Sequence, residues 1–132
     1  MALKIRLLQH KRKNLNGKWY GRVVARNEVH TDELARRICF KTTLTEADVH
    51  AVIIALTAEM TEQLQDGNTV VLDGFGRFHL TVKSEMVDTP EQYNVNKHVK
   101  QVLCKFTPAG KRNQFTRQLE RPFIKGVDLV RE

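Results

Sequence analysis

The sequence predicts an α+β fold, and three observations carry that expectation. Helix-opening signals recur at Thr31-Asp32-Glu33-Leu34 and Thr45-Glu46-Ala47-Asp48. Strand-type alternation runs through residues 67–82 on either side of a Gly74-Phe75-Gly76 corner, and both chain ends are rich in strand formers. At 132 residues the chain suits one domain, with a core small enough for a partner chain to complete.

Charge is placed unevenly along the chain. Residues 1–30 carry 8 Lys or Arg against 1 Asp or Glu, residues 31–67 carry 3 against 7, residues 68–106 carry 5 against 4, and residues 107–132 carry 6 against 3. The overall formal charge of +7 fits a polyanionic partner, because Lys and Arg neutralise phosphates and release their counterions; solubility alone is the other reading. Cys39 and Cys104 stand far apart without metal-ligand spacing, so neither a zinc site nor a disulfide framework is indicated, and buried free thiols are expected. No apolar run reaches signal-peptide length or the roughly 20 residues that span a bilayer, so a soluble cytoplasmic protein is expected.

Residues 3–8 and 19–26 read as the strands of a hairpin, joined by the basic loop Lys11-Arg12-Lys13-Asn14-Leu15-Asn16-Gly17-Lys18. Its cations either contact a polyanion or point into solvent. Thr31 opens a first helix whose apolar positions are Leu34, Ile38 and Cys39, ending near residues 41–43. Thr45 caps a second, longer helix, with Asp48 at the capping-box position and Gly67 as its terminator.

That second helix is apolar around most of its circumference. Val49, Val52, Ile53, Leu56, Met60 and Leu64 fall at helical spacing, while Ala51, Ile54, Ala55 and Ala58 widen the surface. One short preceding helix cannot cover it, so burial against a second copy of the chain is expected. Two helices in succession can also suggest a sequence-reading motif, yet residues 46–65 contain no Lys or Arg to present to base edges. The helix belongs to the core.

After the helix, Val70 and Leu72 share one strand face. Past the glycine corner, Phe78, Leu80 and Val82 alternate with Arg77, His79, Thr81 and Lys83, giving one apolar and one partly cationic side. His79 reads equally as an ordinary exposed strand residue or a contact. Residues 84–98 are the least regular, with Thr89 and Pro90 placed to start one helical turn. Strand pattern resumes over residues 95–106, and Pro108-Ala109-Gly110-Lys111-Arg112 leads into a short helix bearing Phe115 and Leu119. The first turn of that helix, with Lys111 and Arg112, is suited to a phosphate. Pro122 ends it, and residues 123–130 are apolar enough to pair as a last strand with the amino-terminal hairpin.

The order of elements, the Gly-Phe-Gly-Arg-Phe corner and the later Phe106-Thr107-Pro108-Ala109-Gly110-Lys111 segment resemble the HU and integration host factor family of bacterial histone-like proteins, over about residues 31–120. With its basic amino-terminal hairpin, ending in Trp19-Tyr20, and its carboxy-terminal strand, the whole chain resembles the longer HU-like variant of Bacteroidetes. The resemblance implies an intertwined homodimer, with a helical base and a β saddle whose two arms embrace double-stranded DNA and organise or bend it. Its domain layout would be a single unit over residues 1–132: a hairpin extension over 1–30, a core over 31–120 with the arm at about 84–98, and a closing strand over 121–132.

Carried onto this sequence, the resemblance places Arg77 and Lys83 on saddle strands, Lys97, Lys100 and Lys105 on the returning arm strand, and Lys111 and Arg112 at the last helix. Gly74, Phe75 and Gly76 become a structural corner. Two departures are visible: Pro90 sits in Asp-Thr-Pro-Glu where family arms carry Arg-Asn-Pro, and residues 68–106 net only +1. Arg12, Lys13 and Lys18 in the hairpin are the expected compensating contacts. The alternative is a dimeric protein-interaction scaffold with weak or single-stranded nucleic-acid binding. No paired carboxylates, activated nucleophile, metal-ligand spacing or phosphate loop suggests an enzyme, a cofactor, a metal or a small-molecule substrate. The location expected with this reading is the nucleoid.

Overall fold

A computed structural model describes residues 2–132, and its elements follow the chain's own punctuation. In order they are β1 (Ala2–Gln9), β2 (Trp19–Val23), α1 (Thr31–Cys39), α2 (Glu46–Gln65), β3 (Val70–Leu72), β4 (Gly76–Ser84), α3 (Val95–His98), β5 (Val99–Pro108), β6 (Lys111–Arg112), β7 (Leu119–Glu120) and β8 (Asp128–Arg131). Single 3-10 turns occupy Lys13–Leu15 and Pro90–Gln92. The fold is mixed α+β, and it divides into two units: Met1–His30 with Ile124–Glu132, and Thr31–Phe123.

The first unit is a three-stranded sheet in the order β2-β1-β8. β1 and β2 form the expected antiparallel hairpin, with Gln9 opposite Trp19 and Ile5 opposite Val23. β8 lies parallel to β1 on the other side, with Leu3 opposite Leu129 and Ile5 opposite Arg131. The Arg6 guanidinium grips the Glu132 carboxylate with two nitrogens, Nη2 lying 2.9 Å from Oε1, and the Glu132 amide donates to the Ile5 carbonyl at 2.9 Å.

Hydrogen bonding from Arg6 holds the Glu132 carboxyl below the usual carboxylate range, with the positive charges of Arg6 and Lys4 adding to the effect. A carboxyl depressed in the folded state stabilises above its unfolded value of about 4.3, and that contribution is lost as pH falls through the depressed value. Acid titration of the Glu132 side chain by NMR should therefore show a midpoint below the unfolded one. Arg6→Ala should raise the midpoint toward the ordinary one, and an unshifted midpoint in the parent protein contradicts the clamp.

In the second unit the helix signals act as expected. Thr45 Oγ1 accepts from the Asp48 amide at 3.1 Å while the Asp48 carboxylate accepts from the Thr45 amide at 3.0 Å, closing a capping box. The backbone bond from Thr45 also keeps the Asp48 carboxyl low. At the other end of α2 the chain turns left-handed at Gly67, φ 87°, where only glycine is free of a Cβ penalty. The Gly67 amide donates to Leu64 O and the Asn68 amide to Gln63 O, both at 3.0 Å, satisfying two end carbonyls.

α2 packs on α1 and against β3 and β4, and the best-buried apolar side chains among the described residues are Ala35 of α1 and Val49 of α2. Ala35, rather than the expected Leu34 and Ile38, is the closed contact: a methyl lets two helices approach where larger groups spill to the edges. Ile54 and Val52 remain 69% and 60% exposed, so the apolar girth of α2 is far from covered within one chain.

β3, β4 and β5 form an antiparallel sheet turned at Gly74-Phe75-Gly76. The corner is closed by the Phe75 amide donating to Leu72 O at 2.9 Å and the Ala109 amide donating to Phe75 O at 3.0 Å. Gly76 is buried, and a Cβ there would stand 2.5 Å from the Thr107 carbonyl and collide with the Phe106 ring, so the crossing of β4 and β5 needs glycine. Phe75 meets Phe106 and Phe123 edge-on at 5.9 and 5.6 Å, and Phe78 lies 4.8 Å from Phe106. These rings pin the corner to the sheet.

Three expectations need correction. The residues after Lys111 do not form a helix: β6 and β7 pair, with Lys111 opposite Glu120 and Arg112 opposite Leu119. The cause is local, because Asn113 Oδ1 accepts from the Phe115 and Thr116 amides at 2.9 and 3.2 Å and Arg117 turns left-handed at φ 58°, drawing the chain into a turn. Residues 95–98, read as strand, are one helical turn capped by Asn94, whose Oδ1 accepts from the Asn96 amide at 3.0 Å. Finally, both cysteines are free but neither is buried: Cys39 is half-buried and Cys104 exposed.

Candidate nucleic-acid interface

Residues directly opposite in an antiparallel pair share a face, so the register of β4 and β5 sorts their side chains. Phe78 opposite Phe106, Leu80 opposite Cys104 and Val82 opposite Val102 make the apolar face, to which Val70 and Leu72 of β3 add. The other face carries Arg77 opposite Thr107, His79 opposite Lys105, Thr81 opposite Leu103 and Lys83 opposite Gln101. Arg77, Lys83 and Lys105 therefore come together on one surface without a carboxylate at any of these positions. All three are exposed, and no ion pair among the described residues engages them.

From Arg77 to Lys83 the strand advances about 20 Å at roughly 3.3 Å per residue. That is close to six base-pair steps at about 3.4 Å each, so the row is long enough to meet several phosphates in succession. Of the neutral donors, Thr81 lies between the cations, while Thr107 and Gln101 stand beside Arg77 and Lys83. A surface of this kind attracts polyanions without a pocket for any one base.

The remaining predicted cations separate from this row. A register shift between Lys83 and Ser84 leaves Lys100 out of the ladder, and its Nζ sits 3.0 Å from Glu85 Oε1. Lys97 lies on the helical turn α3. Lys111 and Arg112 are exposed residues of the β6–β7 hairpin, so the phosphate-gripping helix start expected for them does not exist. Arg112 instead lines a shallow recess with Asn113, Gln114 and Arg117. Arg12, Lys13 and Lys18 belong to the loop of the amino-terminal unit.

Around α3 the chain folds back on itself. The Asn94 amide donates to His98 Nδ1 at 2.8 Å, the Tyr93 and His98 rings lie 5.3 Å apart, and Tyr93 and Ser84 share a hydroxyl hydrogen bond of 2.5 Å. Pro90 opens its 3-10 turn behind Thr89, as its position suggested, although the Thr89 side chain makes no capping bond. Among the described residues, no group of His, Cys, Asp and Glu is arranged to hold a metal ion, and no helix is long and apolar enough to cross a membrane.

The charge asymmetry counted along the sequence carries over to the two units. The amino-terminal unit holds 10 Lys or Arg against 3 Asp or Glu, whereas the second holds 12 of each, so the whole excess of +7 falls on the first. Residues 124–132 add two cations and two carboxylates to this unit and so leave its net charge at the +7 that residues 1–30 already carry.

Comparison with known proteins places this geometry. No curated protein matches the sequence. A crystal structure from Bacteroides vulgatus ATCC 8482, titled as that of a "Putative bacterial DNA binding protein", superposes with a TM-score of 0.64 at 15% identity over 99% of this chain and 49% of that one. The chain thus spans about half the length of that structural neighbour, and the likeness is one of fold. A family model described as "HU domain fused to wHTH, Ig, or Glycine-rich motif" matches residues 1–122. With nearly the whole sequence under that match, the chain belongs to this family of fused HU domains.

Proposed function

We propose that the protein binds double-stranded DNA as a homodimer, with low sequence specificity, and organises or bends it as an architectural protein of the nucleoid in the cytoplasm. The carboxylate-free row of Arg77, Lys83 and Lys105 on the β4–β5 face carries this reading. Such a row recognises the regular spacing and charge of phosphates, which every duplex shares. Family membership and the DNA-binding title of the structural neighbour support the choice of DNA as polyanion. In the dimer, the exposed apolar side of α2 would be covered by its copy, and the ribbon of β4 and β5 with residues 84–98 would serve as saddle and arm. Arg12, Lys13 and Lys18, with Lys97, Lys111 and Arg112, would add weaker phosphate contacts; Lys100 gives part of its charge to Glu85.

Competition binding with several unrelated duplexes of equal length tests the reading. Affinities within about tenfold of one another are expected, since phosphate contacts carry no base information. Preference for one sequence by a factor on the order of a thousand, the range of specific readers, would overturn it.

A further inference from the structure

We propose that the amino-terminal sheet carries a second nucleic-acid site, a stacking platform for the bases of unpaired DNA, centred on Tyr20 and His10. The inference rests on the reading of the protein as DNA-binding, but on a different surface and a different chemistry. Its first support is the charge partition: this unit carries the entire net charge, and no Asp or Glu occurs before Glu28.

The register supplies the second support. Tyr20 lies opposite Leu8 and Arg22 opposite Arg6, so Tyr20, Arg22 and Arg6 share a face, which Lys4 joins by alternation along β1. Arg6 is held by Glu132, whose charge Lys4 also feels, so Arg22 beside Tyr20 is the cation of that face that stands outside this pairing. The opposite face carries Ile5, Leu7, Val23 and Trp19. Gln9 and Arg131 interrupt the mainly apolar side, and Leu8 and Val130 lie among the cations of the side that bears the Tyr20 ring.

That ring is placed for stacking. Tyr20 is 44% exposed, its centroid lies 5.3 Å from that of the half-buried His10, and the two planes are tilted by 49°. The His10 amide donates to Lys18 O at 2.8 Å, which closes the hairpin beside the basic loop. A groove at this end is lined by His10, Lys11, Arg12, Trp19 and Tyr20, bringing aromatic rings and cations to the same edge. Trp19 is 63% exposed there.

Rings beside cations suit a single strand better than a duplex. In a duplex the base faces are already stacked on one another, whereas unpaired bases offer theirs to a side chain as the phosphates follow the cations. Any of the four bases can stack, so the site would take unpaired DNA without regard to sequence.

Trp19 is the single tryptophan of the chain and reports on this groove directly. The full chain is titrated with a thymidine oligonucleotide of about 12 nucleotides, a length within the range that single-strand binders cover. A matched oligonucleotide with abasic sites keeps the phosphates and removes the rings. Quenching of Trp19 fluorescence by the thymidine strand is expected, with the abasic strand bound more weakly by about fivefold to a hundredfold per stacked base. Tyr20→Ala should reproduce that loss while Tyr20→Phe and duplex binding stay as in the parent protein. Equal affinity for thymidine and abasic strands overturns the proposal, and this comparison needs no variant to fold. Tighter binding of the matching RNA overturns the assignment to DNA. Single-strand binding that persists when duplex binding is absent would sink the architectural reading and leave this site standing.

Discussion

Ile54→Asp is expected to split the proposed dimer. Ile54 lies on the side of α2 away from Val49, together with Ala51, Ala55 and Ala58, and is 69% exposed in the single chain. A helix apolar on all sides has to be covered on all sides, and α1 with the β sheet covers only one. In a twofold dimer each substitution acts twice. Losing the burial of two isoleucines weakens association by about 3–6 kcal/mol, roughly a hundredfold to ten-thousandfold, before the cost of a buried carboxylate is counted. Sedimentation analysis at micromolar concentration should find a dimer for the parent protein and a monomer for the variant. A parent protein that sediments as a monomer contradicts the dimer outright.

The second large effect concerns the cationic row. Arg77→Ala, Lys83→Ala and Lys105→Ala together remove three positive charges from each protomer and six from a dimer, without touching the apolar face of the sheet. Counterion release is worth about 0.9 log units of affinity per phosphate contact for each tenfold change in salt, so six contacts carry about five. Even if some are incompletely formed, duplex affinity near 0.1 M salt should fall by roughly a thousandfold or more. The same three substitutions on Lys97, Lys111 and Arg112 should cost far less, because those residues lie outside the row. Comparable losses from both sets would mean that the charge acts as a diffuse cloud rather than as a surface.

What could be read in advance was whatever depended on near neighbours in sequence. Thr45 and Asp48 are three residues apart, and the capping box formed where their spacing required it. Gly67 closed α2, and Gly74 with Gly76 turned the sheet, because a left-handed turn and a close backbone approach leave few residues to choose from. Alternation along β4 assigned Arg77 and Lys83 to one face before any partner strand was known.

Less legible were features set by side chains competing with the backbone or by distant pairing. Asn113 captured two amides and converted an apparent helix into a hairpin, which the helix-like spacing of Phe115 and Leu119 concealed. Asn94 did the reverse, capping a helical turn inside a run rich in strand formers. That Lys105 joins Arg77 and Lys83 while Lys100 turns to Glu85 depends on a register shift in the ladder, and no composition window contains it. The gathering of net charge on the amino-terminal sheet was, by contrast, legible in the sequence, since residues 1–30 hold the whole +7 and the strand that returns beside β1 is neutral in sum.

The dependence of duplex affinity on salt tests the central claim most directly. A dimer that seats six phosphates on Arg77, Lys83 and Lys105 should lose affinity with a logarithmic slope of about −5 or steeper, and the triple alanine variant should be shallower by about 5. Tight binding with a slope near zero, or the same slope in parent and variant, would contradict the account.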